Sequence, residues 1–214
     1  GTIHVTSTWA DHDRHVVLLI DALDDLGVSE GVDGRASSLD VSVRAAGAIA
    51  AHHIAAGDRV SLVVLGARGV RRVPPASGQH HLRRLLEVMA DIEPGATAVT
   101  GDDGRAPRGL GSGSLVVMLS PLVSPSAVRR AVTMAARGLT VVAVDCLPAS
   151  ITDEDPSDPY VSIAWRIQLL ERERVLRRVR ESGLAVVPWH GPGSLDAVLR
   201  DLHRHASRSA GRVR

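Results

Sequence analysis

Apolar runs and polar breaks succeed one another along this chain in a way that predicts strands and helices in turn. The plainest run, Val16-Val17-Leu18-Leu19-Ile20, ends abruptly in Asp21, and Asp24 and Asp25 follow at once. A short unbroken apolar run suits a strand covered on both faces, as in a parallel sheet. Ligands of open parallel sheets gather at the carboxyl ends of central strands, so the three carboxylates mark where chemistry is to be sought.

Upstream, Thr2 to Thr8 alternates apolar and polar residues, the pattern of a half-exposed edge strand. Asp11 to His15 reads as a polar turn, because its Asp and His residues lack the spacing of a known metal motif. Beyond Asp25, a glycine-rich loop (27–34) leads to Ser37-Ser38, candidate N-caps of a helix. Leu39, Val43, Ala46, Ala50 and Ile54 form its apolar stripe and Gly57 closes it, which leaves His52 and His53 expected to face solvent. Arg59 to Leu65 reads as a second buried strand. Val70 to Val73 reads as a short edge strand, expected to stop at Pro74-Pro75. Ser77 is then expected to cap a helix on which Leu82, Leu85, Leu86 and Met89 share a face and His80 and His81 are exposed.

Residues 94–114 keep no helical period and read as a long loop. Gly109, Gly111 and Gly113 precede a strand instead of following one, which argues against a phosphate loop. Ser114 to Leu119 is a strand ending in Ser120-Pro121. Ser124-Pro125 opens a helix with Val128, Ala131, Val132 and Ala135, ended by Gly138. Thr140 to Asp145 is another buried strand, with Cys146 beyond it read as a packing residue. After an acidic loop (149–160), a long helix runs to about Ser182. It carries Trp165, Leu169, Leu176 and Val179 on one side and mixed Arg and Glu elsewhere, the pattern of a solvated, salt-bridged face. Leu184 to Pro188 is the last strand. Ser194 is expected to cap a helix with Leu195, Val198, Leu199 and Leu202. The chain reads as one domain (1–206) with a frayed tail (207–214).

This succession specifies a doubly wound α/β sheet, mostly parallel, with one short antiparallel edge strand. Such a fold hosts many functions, so function must come from the site. A reversal of strand order beside the first strand would gather Asp21, Asp24, Asp25, Thr97, Thr100, Asp102, Asp103 and Ser120 at one edge. A phosphoacceptor receiver domain is excluded: it needs an Asp at the end of a middle strand and a late Lys. Here the second strand ends Leu65-Gly66-Ala67, and the chain has no Lys. A nucleotide-binding Rossmann enzyme is excluded by the missing glycine fingerprint after the first strand.

Composition alters this picture in a few places. The 214 residues include no Phe, and all 25 basic residues are Arg, so the core must be built from Val, Leu, Ile and Ala. The Arg and Ala bias is what GC-rich codons produce and carries no functional weight. A net charge of +1 argues against a dedicated nucleic-acid binder. The single Cys146 rules out an internal disulfide and fits a reducing, cytoplasmic setting. No apolar run approaches the roughly 18 residues needed to span a bilayer, and no signal-peptide pattern is seen. The chain opens on Gly1 within a strand pattern and so reads as part of a longer protein, whose membrane attachment, if any, would lie outside it.

Several segments resemble the bacterial domain-of-unknown-function 58 family, and through it the von Willebrand factor A-type fold. They are Val16 to Asp21, then Ala55-Ala56-Gly57-Asp58-Arg59-Val60-Ser61-Leu62-Val63, then Val73-Pro74-Pro75-Ala76-Ser77-Gly78-Gln79-His80-His81-Leu82. Ser114 to Ser120 follows in place, and the resemblance covers residues 3–145 best. In A-type domains, D-x-S-x-S, a loop Thr and a later Asp hold Mg²⁺, completed by a partner's carboxylate. Here Asp21 matches the first Asp and Thr97 the loop Thr, but Leu23 and Asp25 stand at the Ser positions and Pro121 stands at the later Asp. The resemblance therefore implies a degenerate metal site of Asp21, Asp25 and Thr97, empty or holding Mg²⁺ weakly, and no other cofactor. It also implies a non-enzymatic adaptor or scaffold domain that works with a MoxR-type AAA+ ATPase. Asp21, Asp24, Asp25, Asp102, Asp103 and Ser120 would lie on its contact surface. Three rivals remain. The resemblance also allows a divalent-metal-binding adhesion-type domain. The second is a metal-dependent hydrolase using Asp21 and Asp25, for which no Ser/His/Asp order or His-rich ligand set appears. The third is a purely structural module whose Asp cluster only caps loops.

Overall fold

In the computed structural model, the residues described are 15–31, 33–95, 114–149, 151, 159–181 and 183–210. The edge strand expected at Thr2 to Thr8, the turn before His15, most of the 94–114 loop and residues 152–158 lie outside them.

Among the described residues, six strands form one sheet: β1 (His15–Asp21), β2 (Arg59–Gly66), β3 (Gly69–Ala76), β4 (Leu115–Ser120), β5 (Thr140–Asp145) and β6 (Ala185–Pro188). Their order is β3-β2-β1-β4-β5-β6, and every pair is parallel except β2 with β3. Among the described residues, five helices of more than one turn cover the sheet: α1 (Ser38–Ala55), α2 (Gln79–Ala90), α3 (Pro125–Ala136), α4 (Pro159–Glu181) and α5 (Leu195–Ala210). This is a doubly wound, Rossmann-like arrangement. The chain goes from β1 outward to β2 and β3, then returns to β4 on the other side of β1. The crevice where the order reverses thus opens between the carboxyl ends of β1 and β4.

The alternation within β1 sorts the core into two layers. Val16, Leu18 and Ile20 pack with Ala45, Ala46 and Ile49 of α1, Leu85 and Met89 of α2, and Val198 and Leu199 of α5. Val17 and Leu19 point the other way, to Ala127, Val128, Ala131 and Met134 of α3 and Leu176 and Val179 of α4. Every residue from Val16 to Ile20 is at most 2% exposed, which is why this strand reads as an unbroken apolar run. Each such side chain is worth about 2 kcal/mol relative to exposure.

Local signals place the helix ends. Ser37 caps α1 in a capping box with Asp40, and Gly57, at φ +90°, closes it. Ser124 caps α3 ahead of Pro125. Four expectations need correction. First, α2 is preceded not by a Ser77 cap but by Gly78 at φ +86°, a left-handed turn without a side-chain cap. Second, β3 continues through Pro74-Pro75, because the ladder to β2 is offset between Val60 and Leu62. An edge strand with an irregular register accommodates prolines. Third, His53 is only 3% exposed: its Nδ1 lies 2.6 Å from Asp58 Oδ2, pinning the end of α1 to the start of β2. His81 is buried likewise, with Nε2 2.7 Å from the Val60 carbonyl oxygen, whereas its neighbours His52 and His80 are exposed. Fourth, the Ser194 hydroxyl accepts from His190 N–H and donates to the Gly191 carbonyl, so it ties the 3-10 turn Pro192–Ser194. Helix α5 itself continues to Ala210, past the point where fraying was expected.

Candidate functional site at the carboxyl end of β1 and β4

Asp21 ends β1 in the interior, 3% exposed, beside the equally buried Ser120 at the end of β4. The Ser120 hydroxyl donates to Asp21 Oδ2 at 2.7 Å and accepts from Leu122 N–H at 2.9 Å. Asp21 Oδ1 accepts from Leu23 N–H at 3.2 Å. Burial pushes the Asp21 carboxyl above its ordinary range, against the pull of the Ser120 and Leu23 hydrogen bonds. Repulsion from Asp24 adds to the rise, and the Arg130 guanidinium opposes it. Crowding among the acids is thus a small contributor beside desolvation. Leu122 is held at φ +53°, a left-handed conformation costing about 1 kcal/mol for a residue with Cβ.

Asp25 faces elsewhere. Its Oδ1 accepts from Ser38 Oγ at 3.0 Å and from Leu39 N–H at 2.9 Å, so its charge sits at the amino end of α1, where the helix dipole favours it. Ser38 Oγ also accepts from Leu26 N–H, and Ser38 N–H donates to the Leu26 carbonyl, which closes the β1–α1 loop upon itself. Asp24 is exposed between the two. At the far side of the crevice, Ala22 N–H donates to the Leu65 carbonyl and Gly95 N–H to the Ala22 carbonyl. Gly66 is required there, since a Cβ would come within 2.9 Å of the Glu93 carbonyl oxygen.

Among the described residues, the side-chain oxygens at this end do not make up a Mg²⁺ shell. Six oxygens at near-octahedral angles are needed, yet the Leu23 and Pro121 side chains bring none and Asp25 Oδ1 is engaged at α1. Among the described residues, no three His, Cys, Asp or Glu side chains converge as a metal site. Thr97, Thr100, Asp102 and Asp103 lie outside the described residues, so the structure brings together Asp21 and Ser120 with Asp24 nearby, and holds Asp25 apart at the helix.

A family model described as "Protein of unknown function DUF58" matches residues 1–155. The chain belongs to this family. Among solved structures, this DUF58 member is similar to the conserved hypothetical protein BatB from Bacteroides thetaiotaomicron. That match has 15% identity and a TM-score of 0.53, covering 91% of this chain and 99% of the other. It is also similar to an aerotolerance-related membrane protein from Bacteroides fragilis NCTC 9343 carrying multiple mutations to serines. Here the identity is 14% and the TM-score 0.49, over 89% of this chain and 99% of that one. Among curated proteins, none matches. At such identity the BatB likeness speaks for the fold alone. No helix among the described residues is long and apolar enough to cross a membrane.

Two features of this DUF58 chain escaped the sequence reading. Arg172 of α4 donates through Nε to the Pro121 carbonyl at 2.8 Å, and its Nη2 lies 2.5 Å from Asp145 Oδ1. It therefore clamps the carboxyl ends of β4 and β5 beside Ser120. Its signal was legible: Trp165, Leu169, Arg172, Leu176 and Val179 recur at helical spacing, so an Arg stands within the buried stripe. The second feature is an apolar stripe on the outer face of α4, where charge alone was expected. Tyr160, Ile163, Ile167 and Leu170 are all exposed.

Proposed function

We propose that this DUF58 chain is a non-enzymatic interaction domain, an adaptor or scaffold of von Willebrand factor A type whose metal site has degenerated. It works in protein assembly or remodelling beside a MoxR-type AAA+ ATPase. The observation that carries this reading is how fully the acids are used internally. Asp25 caps α1, Asp21 holds Ser120 and Leu23, and the Arg130 guanidinium supplies positive charge that a bound cation would otherwise bring. What remains for a partner among the described residues is exposed Asp24 at the reversal of strand order. Grooves run along α2 and beside β6, both away from Asp21, which suits a contact face better than a substrate pocket.

The ATPase partnership rests on the family resemblance, and binding to a purified MoxR-type ATPase of the same organism tests it. Asp24→Arg reverses an exposed charge and removes none of the hydrogen bonds of the internal network, so the fold is retained and affinity is expected to fall about tenfold. An unchanged affinity would refute the contact surface. Calorimetric titration with Mg²⁺ and Mn²⁺ is expected to give no heat of binding. Clear micromolar binding would restore the metal-dependent readings, including the hydrolase, with Asp21 as first ligand.

A further inference from the structure

Among the described residues, the sheet ends on one side at β3 and on the other at β6. At the β3 margin Pro74 and Pro75 have no N–H to offer, and the side chains of Arg68 and Arg71 are paired with Asp91 and Glu93. The β6 margin is more open. A groove of about 240 Å³ runs along it, floored by residues 184–187, with Arg180 of α4 on one wall and Asp201 and Arg204 of α5 on the other.

The polarity of that floor follows from the pairing of β6 with β5. The strands run parallel, with Ala143 beside Val186 and Val144 beside Val187, and Trp189 N–H donates to the Asp145 carbonyl at 2.9 Å. Within one peptide plane the C=O and N–H point in opposite directions, and successive planes alternate along a strand. The Pro188 carbonyl, which shares a plane with Trp189 N–H, therefore points away from β5. By the same alternation the Val186 and Leu184 carbonyls and the Val186 N–H point outward too. Leu184 N–H is taken by the Val179 carbonyl at the end of α4, and Pro188 has no N–H. The outer edge of β6 thus presents the carbonyls of Leu184, Val186 and Pro188 as acceptors and Val186 N–H as its one donor among the described residues.

We propose that this edge receives an extended, proline-free segment of a partner protein as an added strand. The segment donates N–H groups to the Leu184, Val186 and Pro188 carbonyls and accepts from Val186 N–H, so main-chain hydrogen bonds carry the recognition. Complementarity of donors and acceptors decides among the possible occupants. A second copy of β6 brings a single free N–H, so two such edges form at most two hydrogen bonds and leave carbonyls without donors. Shortness and a proline are devices that keep like edges apart, and in β6 they do so while sparing the Val186 amide. The walls of the groove carry both signs, and Asp201 is paired with Arg204, so the backbone makes the selection and side-chain charge does not. The edge lies three strands from β1 and does not depend on the ATPase reading.

In the free chain, the Val186 amide is expected to exchange with deuterium at least about tenfold faster than that of Val187, which the ladder to β5 protects. The binding probe is a fluorescein-labelled peptide of about seven residues, alternating Thr and Val. In fluorescence anisotropy it is expected to bind the whole chain, and it should slow exchange at Val186. The same peptide with N-methyl groups on its three central residues loses donors from both of its edges and is expected to bind about tenfold more weakly. Val186→Pro removes the outward N–H without breaking the ladder to β5, so it should abolish binding while circular dichroism stays unchanged. Val186→Thr keeps the amide and should bind as the parent does. Should Val186→Pro not fold, the methylated peptide and the Val186 amide still decide. The proposal is overturned if Val186 is as protected as Val187 in the free chain, if the Thr-Val peptide does not bind, or if its methylated form binds equally well. It is overturned equally if folded Val186→Pro binds as the parent does, or if sedimentation shows a dimer that Val186→Pro dissociates, since the edge would then serve a second copy.

Discussion

Replacing Ser120 by Ala removes one oxygen atom, and the structure specifies what that costs. Ser120 is fully buried, and its hydroxyl joins β1 to β4 by donating to Asp21 Oδ2 while taking the Leu122 N–H that follows. In the variant, the Asp21 carboxylate keeps only Leu23 N–H, and the Leu122 amide loses its acceptor inside the core. A buried polar group stripped of its partner costs about 1–3 kcal/mol, more when charged. Two such groups bring the expected loss to about 3 kcal/mol near neutral pH, or about 10 °C in melting temperature for a domain of this size. The loss also has a pH signature. Burial already raises the Asp21 carboxyl above its ordinary value, and the Ser120 hydrogen bond restrains that rise. The native protein therefore binds the proton more readily than the unfolded chain. Asp21's contribution to stability accordingly falls as pH climbs from the ordinary carboxylate value through the raised one. Without Ser120 that penalty grows, so the gap between variant and parent should be wider at neutral pH than near pH 4, where a neutral carboxyl needs the donor less. Urea unfolding followed by the fluorescence of Trp165 and the buried Trp189 measures both quantities. A loss below about 0.5 kcal/mol, or one equal at the two pH values, would refute the account of this site.

Three further outcomes follow from the same geometry. His53→Ala strands Asp58 in the interior and should cost about 3 kcal/mol in urea melts, while His52→Ala at the exposed neighbouring position should stay within about 0.5. Asp25→Ala removes the acceptor for Ser38 Oγ and Leu39 N–H and should cost about 1 kcal/mol; a neutral result would show that the carboxylate does not serve α1. Cys146, fully buried and with its thiol pushed up to about 12, should resist a disulfide-exchange reagent at mildly alkaline pH until urea unfolds the chain. Rapid labelling of the folded protein would contradict that burial.

The layered α/β architecture was legible because its causes are local and periodic. Val16 to Ile20 is apolar without interruption because helices cover both faces, and Ser37, Gly57, Ser124 and Gly138 punctuate the helices through their own backbone and hydroxyl chemistry. The acidic end of β1 was legible for the same reason. What each acid does was not. Asp21 and Asp25 look alike in the chain, yet Asp21 meets Ser120, 99 residues away, while Asp25 turns to the start of α1. His53 and His81 look no different from His52 and His80, and only their packing against Asp58 and the Val60 carbonyl separates them. The outer stripe of α4 was present in the letters, but knowing which of its two apolar faces is covered required knowing where the sheet lies. Strand and helix follow from the preferences of neighbouring residues. Partnership, burial and free surface depend on contacts between segments far apart in the chain, and those exist only once the sheet has assembled.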